Sequence, residues 1–200
     1  MESARERIYR LLLTHPKEAW KQKDLAAQAD CSRGYVSRVV DALVASGVLA
    51  RPYKNRTVLL GPAKLLTLWA SRRSLPGPVH VATALGAEAV EARLRESPGT
   101  AMTLFRAAWH RTKFMATSGV EAYVREEDLE RVAIRLGERS AEPTSVALYP
   151  AQGPELEGME RIDGRPLVSV PQNVVDLMAV GGQGPRVALH LAHAYGLWEA

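Results

Sequence analysis

Residues 21–56, KQKDLAAQADCSRGYVSRVVDALVASGVLARPYKNR, constrain this chain more than any other stretch. Leu25, Ala26 and Ala29 recur at helical spacing and predict a short helix over residues 22–29. Asp30-Cys31-Ser32 breaks it, and Ser32 suits the N-cap of a second helix, because its hydroxyl accepts a free backbone N–H. Val36, Val39, Val40 and Leu43 then follow as i, i+3, i+4 and i+7, a single apolar stripe. Gly47 stands where the chain leaves that helix through the left-handed region. Opposite the stripe lie Gly34, Tyr35, Arg38, Asp41 and Ala42, so one face is core and the other is small, aromatic and charged. Residues 47–51 and 57–60 read as two strands, joined by Pro52-Tyr53-Lys54-Asn55-Arg56, a turn rich in breakers and positive charge.

A helix laid into a DNA major groove needs this division of faces, since its first residues reach base edges and its first amides meet phosphate. Through Leu25-Ala26, Ala29, Ser32, Val36-Ser37-Arg38 and Leu43 the stretch resembles the winged helix-turn-helix of bacterial transcriptional regulators. The resemblance implies a DNA-facing set of Ser32, Arg33, Gly34, Tyr35, Ser37 and Arg38 on the second helix. On the hairpin the set continues with Arg51, Lys54, Asn55 and Arg56. Arg38 suits the two acceptors of guanine, Gly34 lets the helix come close, and the hairpin cations suit phosphate or an adjacent minor groove. The competing reading is an αα-hairpin followed by a loop, both with merely solvated charges.

Charge separates the two ends of the chain. Up to Leu75 there are fourteen Lys/Arg against six Asp/Glu, a balance of +8, and from Pro76 onward twelve against sixteen, a balance of −4. A polyanion held by the first part alone is the partner this asymmetry favours. Two hundred residues, 46% of them hydrophobic, suffice for one or two domains with real cores. The single cysteine, Cys31, supports no disulfide framework, and no apolar run has the length of a signal peptide or a membrane helix, so a reducing cytoplasm and no membrane partner are expected.

Ahead of the helix pair, residues 3–13 are predicted helical, with Ala4, Ile8, Leu11 and Leu12 inward and His15-Pro16 as the stop. Trp20 reads as a core plug, with DNA contact at an exposed edge as the alternative. After the hairpin, Leu65, Leu66, Leu68 and Trp69 lie on a tether helix, and residues 71–78 form a linker rich in breakers. The expected organisation is α+β: an N-terminal winged helix-turn-helix over residues 1–60, a tether and linker over 61–78, and a mixed α/β C-terminal domain over 79–200. In that domain, strands are predicted at 79–84, 101–105, 119–124, 144–149 and 166–170. Helices are predicted at 87–96, around Ala107-Ala108-Trp109, and at 126–136, 171–179 and 185–195.

Several patterns in this second part invite chemistry and lack what it requires. Gly181-Gly182-Gln183-Gly184 has no GK[ST] ending and follows a helix rather than a strand, so a tight helix connection accounts for it better than a phosphate loop. His190 and His193 share a helix face, but no third ligand is in sight, and His80 and His110 stand apart from any nucleophile motif. Glu126-Glu127-Asp128 are consecutive at a helix start, where acids suit the dipole and fan around the axis rather than converge on a metal. No cofactor, no metal and no enzymatic activity are expected.

Taken in order, the winged helix, the Gly61-Pro62, Leu65-Leu66 and Trp69-Ala70 tether, the α/β domain and the closing VSVPQNVVDLMAVGGQGPRVALHL resemble the AbiEi-type antitoxins of type IV toxin–antitoxin systems. The closing stretch carries the resemblance through Gln172, Asp176, Leu177, Gly181, Gly182, Gly184 and Ala188, with Gln183 where many members have arginine. The resemblance implies a repressor of its own operon, bound to double-stranded DNA, and a functional link to a nucleotidyltransferase-like toxin that need not be touched directly. No long heptad seam offers a dimer, so pairing would come from two monomers on inverted half-sites. Two other functions stay open: a ligand-responsive regulator whose second domain senses a small molecule, and a nucleic-acid-processing enzyme that uses the winged helix for targeting.

Overall fold

A computed structural model describes residues 4–137 and 144–198 and shows a mixed α+β architecture. The first part comprises α1 (Ala4–Thr14), β1 (Trp20–Lys21), α2 (Gln22–Gln28), α3 (Arg33–Ala45), β2 (Leu49–Tyr53), β3 (Arg56–Leu59) and α4 (Pro62–Ala70). Ser3, the first residue of the predicted opening helix, lies outside the described residues. The three strands form an antiparallel sheet in the order β1-β3-β2. Pro52, which has no N–H to give, sits on the outer strand, where the register with β3 shifts between Ala50 and Tyr53. Trp20 of β1 is buried, with its ring 5.9 Å from His15.

The second part carries β4 (Val79–Thr83), α5 (Ala87–Arg95), β5 (Thr100–Met102), α6 (Leu104–Thr112), β6 (Val120–Arg125), α7 (Leu129–Leu136), β7 (Thr144–Ala151), β8 (Glu160–Ile162), β9 (Arg165–Leu167), α8 (Val170–Val180) and α9 (Gly184–Ala194). The six strands form one mixed sheet in the order β4-β7-β6-β5-β9-β8, parallel at β6/β7 and β5/β9 and antiparallel elsewhere. Alternation along the strands divides it into two faces. Val120, Ala122, Val124, Val146 and Leu148 pack with Val90 and Leu94 of α5 and Val132 and Leu136 of α7. Tyr123, Tyr149 and Ala151 face the other way, toward the layer that contains α8 and α9.

Several boundaries differ from those the sequence suggests. The strand expected at 101–105 ends at Met102, and Phe105 is helical. The strand expected at 166–170 ends at Leu167, because Ser169 takes an extended N-cap position and Val170 and Pro171 already open α8. Residues 126–128 form a 3-10 turn ahead of α7. Strand β8 was not anticipated, although Asp163-Gly164, with φ of 49° and 75°, is the two-residue hairpin signal.

Residues 61–78 do not act as an exposed connection. Leu65, Leu66 and Trp69 of α4 are fully buried in one hydrophobic cluster that runs from Ile8 and Leu12 through Val174, Val175 and Leu177 to Leu191. Beyond α4, the Arg73 side chain is buried and ion-paired with Asp176 at 3.0 Å and Glu155 at 3.6 Å. It also donates to the Tyr123 hydroxyl at 2.8 Å. Asp176 accepts from Gln172 at 2.7 Å and from the Thr103 hydroxyl at 3.2 Å, and Gln172 accepts from Arg10 of α1 at 2.5 Å. Burial alone would lower the Arg73 guanidinium, but Asp176 and Tyr123 hold it above its ordinary value. Gln172 and Asp176 of the closing motif thus join α1, the stretch after α4 and the large sheet through one buried polar network.

Candidate nucleic-acid interface

The interface begins at a helix cap. Ser32 is extended at the N-cap of α3, and its Oγ accepts the Tyr35 amide at 3.2 Å. With Val36, Val39, Val40 and Leu43 buried, the opposite side of α3 centres on Gly34, Arg38 and Asp41 at about 100° per residue. Arg33 and Ser37 lie on the flank facing the β2–β3 hairpin, and Tyr35 lies on the other flank, with the Arg38 guanidinium 5.7 Å from its ring centroid. A Cβ built on Gly34 would meet nothing within 4 Å, so nothing inside the protein requires glycine there.

The hairpin turns at Lys54-Asn55, and Asn55 adopts a left-handed φ of 67°, which asparagine tolerates better than most residues. Between this hairpin and α3 runs a groove of about 790 Å³. Its walls carry six cations, Lys21, Lys23, Arg33, Arg51, Lys54 and Arg56, against one carboxylate, Asp41. The cations do not all hang free. Arg51 pairs with Asp41, which also accepts weakly from Ser37 at 3.4 Å, and Arg56 donates to the Ala19 carbonyl at 3.0 Å. The Arg51–Asp41 pair ties the hairpin to α3, and the Arg56–Ala19 bond ties it to the segment just before β1.

Of the ten residues singled out from the sequence, Arg33, Ser37, Arg51, Lys54, Asn55 and Arg56 line the groove together. Ser32 caps the helix, and Gly34, Tyr35 and Arg38 lie on α3 outside the groove lining. Sequence reasoning missed Lys21, Gln22, Lys23, Asp41 and Thr57 as groove residues. Lys21 arrives through the pairing of β1 with β3, opposite Arg56, and a two-residue strand carries no periodic signal. Asp41 was visible on the outer face of the helix, but its pairing with a residue on the hairpin was not.

Cys31, at the turn before α3, is half-buried, and burial pushes its thiol up against the pull of Arg7, which opposes thiolate chemistry. His190 is exposed and stacks on Phe114 with ring centroids 3.9 Å apart. Asp128 pairs with Arg131 at 2.6 Å, and among the described residues no three His, Cys, Asp or Glu gather as a metal site would need. No helix among the described residues is long and apolar enough to cross a membrane. No family model, curated protein or solved structure matches the chain.

Proposed function

We propose that the N-terminal domain expected over residues 1–60 is a winged helix-turn-helix and that the protein is a sequence-specific DNA-binding transcriptional repressor, antitoxin-like and autoregulatory. One observation carries the reading: a groove between a capped helix and a hairpin, walled by six cations and one acid. Helix α3 enters the major groove with its N-terminal end. Gly34 allows close approach, Arg38 and Ser37 meet base edges, and Tyr35 holds the Arg38 guanidinium from the flank. Lys54, Asn55 and Arg56 hold phosphate or minor groove, with Lys21, Lys23 and Arg33 adding backbone contacts. Paired with Asp41, Arg51 is preorganised rather than free.

Titration of the protein's own promoter DNA across a range of salt tests this reading. Arg38→Ala is expected to cost about 1–3 kcal/mol on the preferred site and to relax specificity at one position. Lys54→Ala is expected to weaken all sequences alike and to reduce the salt slope by about one unit. Full operator affinity in both variants would show that α3 and the hairpin do not hold DNA.

Gly34 supplies a check on geometry rather than charge. Gly34→Ala removes a poor helix former from an uncrowded position, so fold stability should rise by up to about 1 kcal/mol. DNA affinity should fall if the helix backbone approaches the bases at that point. Parallel denaturant and DNA titrations separate the two, and a variant that gains stability without losing affinity would place α3 away from the groove floor.

A further inference from the structure

Where the chain crosses from the first part to the second, a cavity of about 350 Å³ opens beside the carboxyl ends of the parallel strands β6 and β7. Glu126 follows β6, Pro150 and Gln152 flank the end of β7, and the stretch from Arg72 to Pro76 forms another wall. Glu6 of α1 lines the same space, so segments far apart in the chain share it. Open sheets hold small ligands in the crevice outside the carboxyl ends of their parallel strands. The volume lies at the lower end of the range for small-molecule sites, about 300–1,000 Å³.

Two buried side chains present polar atoms to this cavity that the protein itself does not use. Arg73 and Glu155 are 7% and 8% exposed at the side chain, and both line the space. Two of the three Arg73 nitrogens are taken, Nε by Asp176 and Nη2 by the Tyr123 hydroxyl. Nη1 makes no hydrogen bond and lies 3.6 Å from Glu155 Oε1, beyond hydrogen-bond reach. Glu155 Oε2 accepts the Gln152 amide at 3.1 Å, which leaves Oε1 as the second unused atom. Neither atom is fully enclosed, so a molecule in the cavity can reach both. Glu126 is exposed and has no ion-pair partner among the described residues. The walls thus carry two arginines against three carboxylates, Glu6, Glu126 and Glu155, and Asp176 already matches the charge of Arg73. That balance suits an occupant with one anionic group and more than one cation.

We propose that this cavity binds a dibasic α-amino acid of the lysine or ornithine type. Arg73 Nη1 and Glu155 Oε1 stand side by side, which fits a head group whose carboxylate and ammonium share one carbon. The carboxylate takes Arg73 Nη1 and the exposed Arg72 guanidinium, and the α-ammonium takes Glu155 Oε1. The methylene chain lies along Leu75 and Pro76, and the second ammonium meets Glu126. The site is separate from the basic groove and does not rest on the DNA-binding reading.

Thermal unfolding of the full chain, titrated with lysine, norleucine or cadaverine at matched ionic strength, tests the proposal. Lysine is expected to raise Tm by about 5–10 °C at about a hundredfold excess over Kd. Norleucine, which lacks the second amine, and cadaverine, which lacks the carboxylate, should give smaller shifts at the same concentration. Arg72→Gln and Glu126→Gln alter exposed residues and should each weaken lysine binding by about three- to tenfold. A Lys54→Ala/Arg56→Ala double variant should leave the shift intact. No shift with lysine, a midpoint unaltered in either surface variant, or a shift lost in the groove variant would overturn the site. A norleucine shift equal to that of lysine would overturn the need for a second amine, and an equal cadaverine shift would overturn the amino-acid head group.

Discussion

Replacing Glu91 with alanine is expected to lower stability at neutral pH by about 3–5 kcal/mol, the range for removing one member of a buried charge cluster. Glu91 sits on α5 with no exposed surface. Its Oε1 accepts from Arg106 Nε and lies 2.8 Å from His110 Nε2, while Oε2 accepts from Arg165 at 2.6 Å. The carboxylate therefore fastens α5 to α6 and β9, and alanine leaves two arginines facing one another without their anion. Burial works against this charge, yet the hydrogen bonds from His110, Arg165 and Arg106 hold the carboxyl at about 2, below its ordinary 4.5. A depressed carboxyl stabilises the fold fully above its unfolded value and loses that contribution as pH falls through its folded value. The contribution, roughly 3 kcal/mol, should therefore be complete above about pH 4.5 and fade toward pH 2. Urea unfolding across that window measures it, with Glu91→Gln as the reference. If wild type and Glu91→Gln lose stability in parallel below pH 4.5, the carboxylate is not held as described.

Gly184→Ala is expected to cost about 3 kcal/mol or more, at or above the top of the usual range for overpacking. A Cβ there would lie 2.1 Å from the Leu177 carbonyl oxygen and 2.7 Å from Val180 Cγ1. The first of these is backbone in the last turn of α8, so relief requires α8 and α9 to separate, and both are anchored in the main hydrophobic cluster. Gly182 makes the contrast. Its φ is 56° and nothing lies within 4 Å of where a Cβ would be, so Gly182→Ala carries only the left-handed penalty of about 1–2 kcal/mol. Denaturant midpoints of the two variants distinguish close approach from backbone strain. A Gly184→Ala loss under about 1 kcal/mol would mean that the helices are not in contact there.

Residues within a few positions of one another determined much of this protein by themselves. The cap at Ser32, the stripe from Val36 to Leu43, the left-handed exit at Gly47 and the hairpin around Lys54-Asn55 all rest on local sterics and a 3.6-residue repeat. Gly181 and Gly182 were readable as a positive-φ connection for the same reason, whereas the need for glycine at 184 comes from the Leu177 carbonyl of the neighbouring helix. Glu91 was half visible: it lies beside the Val90 and Leu94 stripe, a position where an acid calls for a partner, but nothing local names Arg106, His110 and Arg165.

The tertiary structure decided everything that joins distant segments. Arg73 reads as a linker residue until the fold sets it against Asp176, 103 positions away, and Arg10 finds Gln172 across 162. The basic groove follows the same rule, since the helix and hairpin each showed their cations while the facing of Lys21, Arg51 and Asp41 needed the small sheet to form. Turns, caps and periodicity are energies of neighbours in the chain and leave a trace in residue order. Pairings across a hundred residues are chosen by burial and charge compensation once the chain has closed on itself, so only the folded protein displays them.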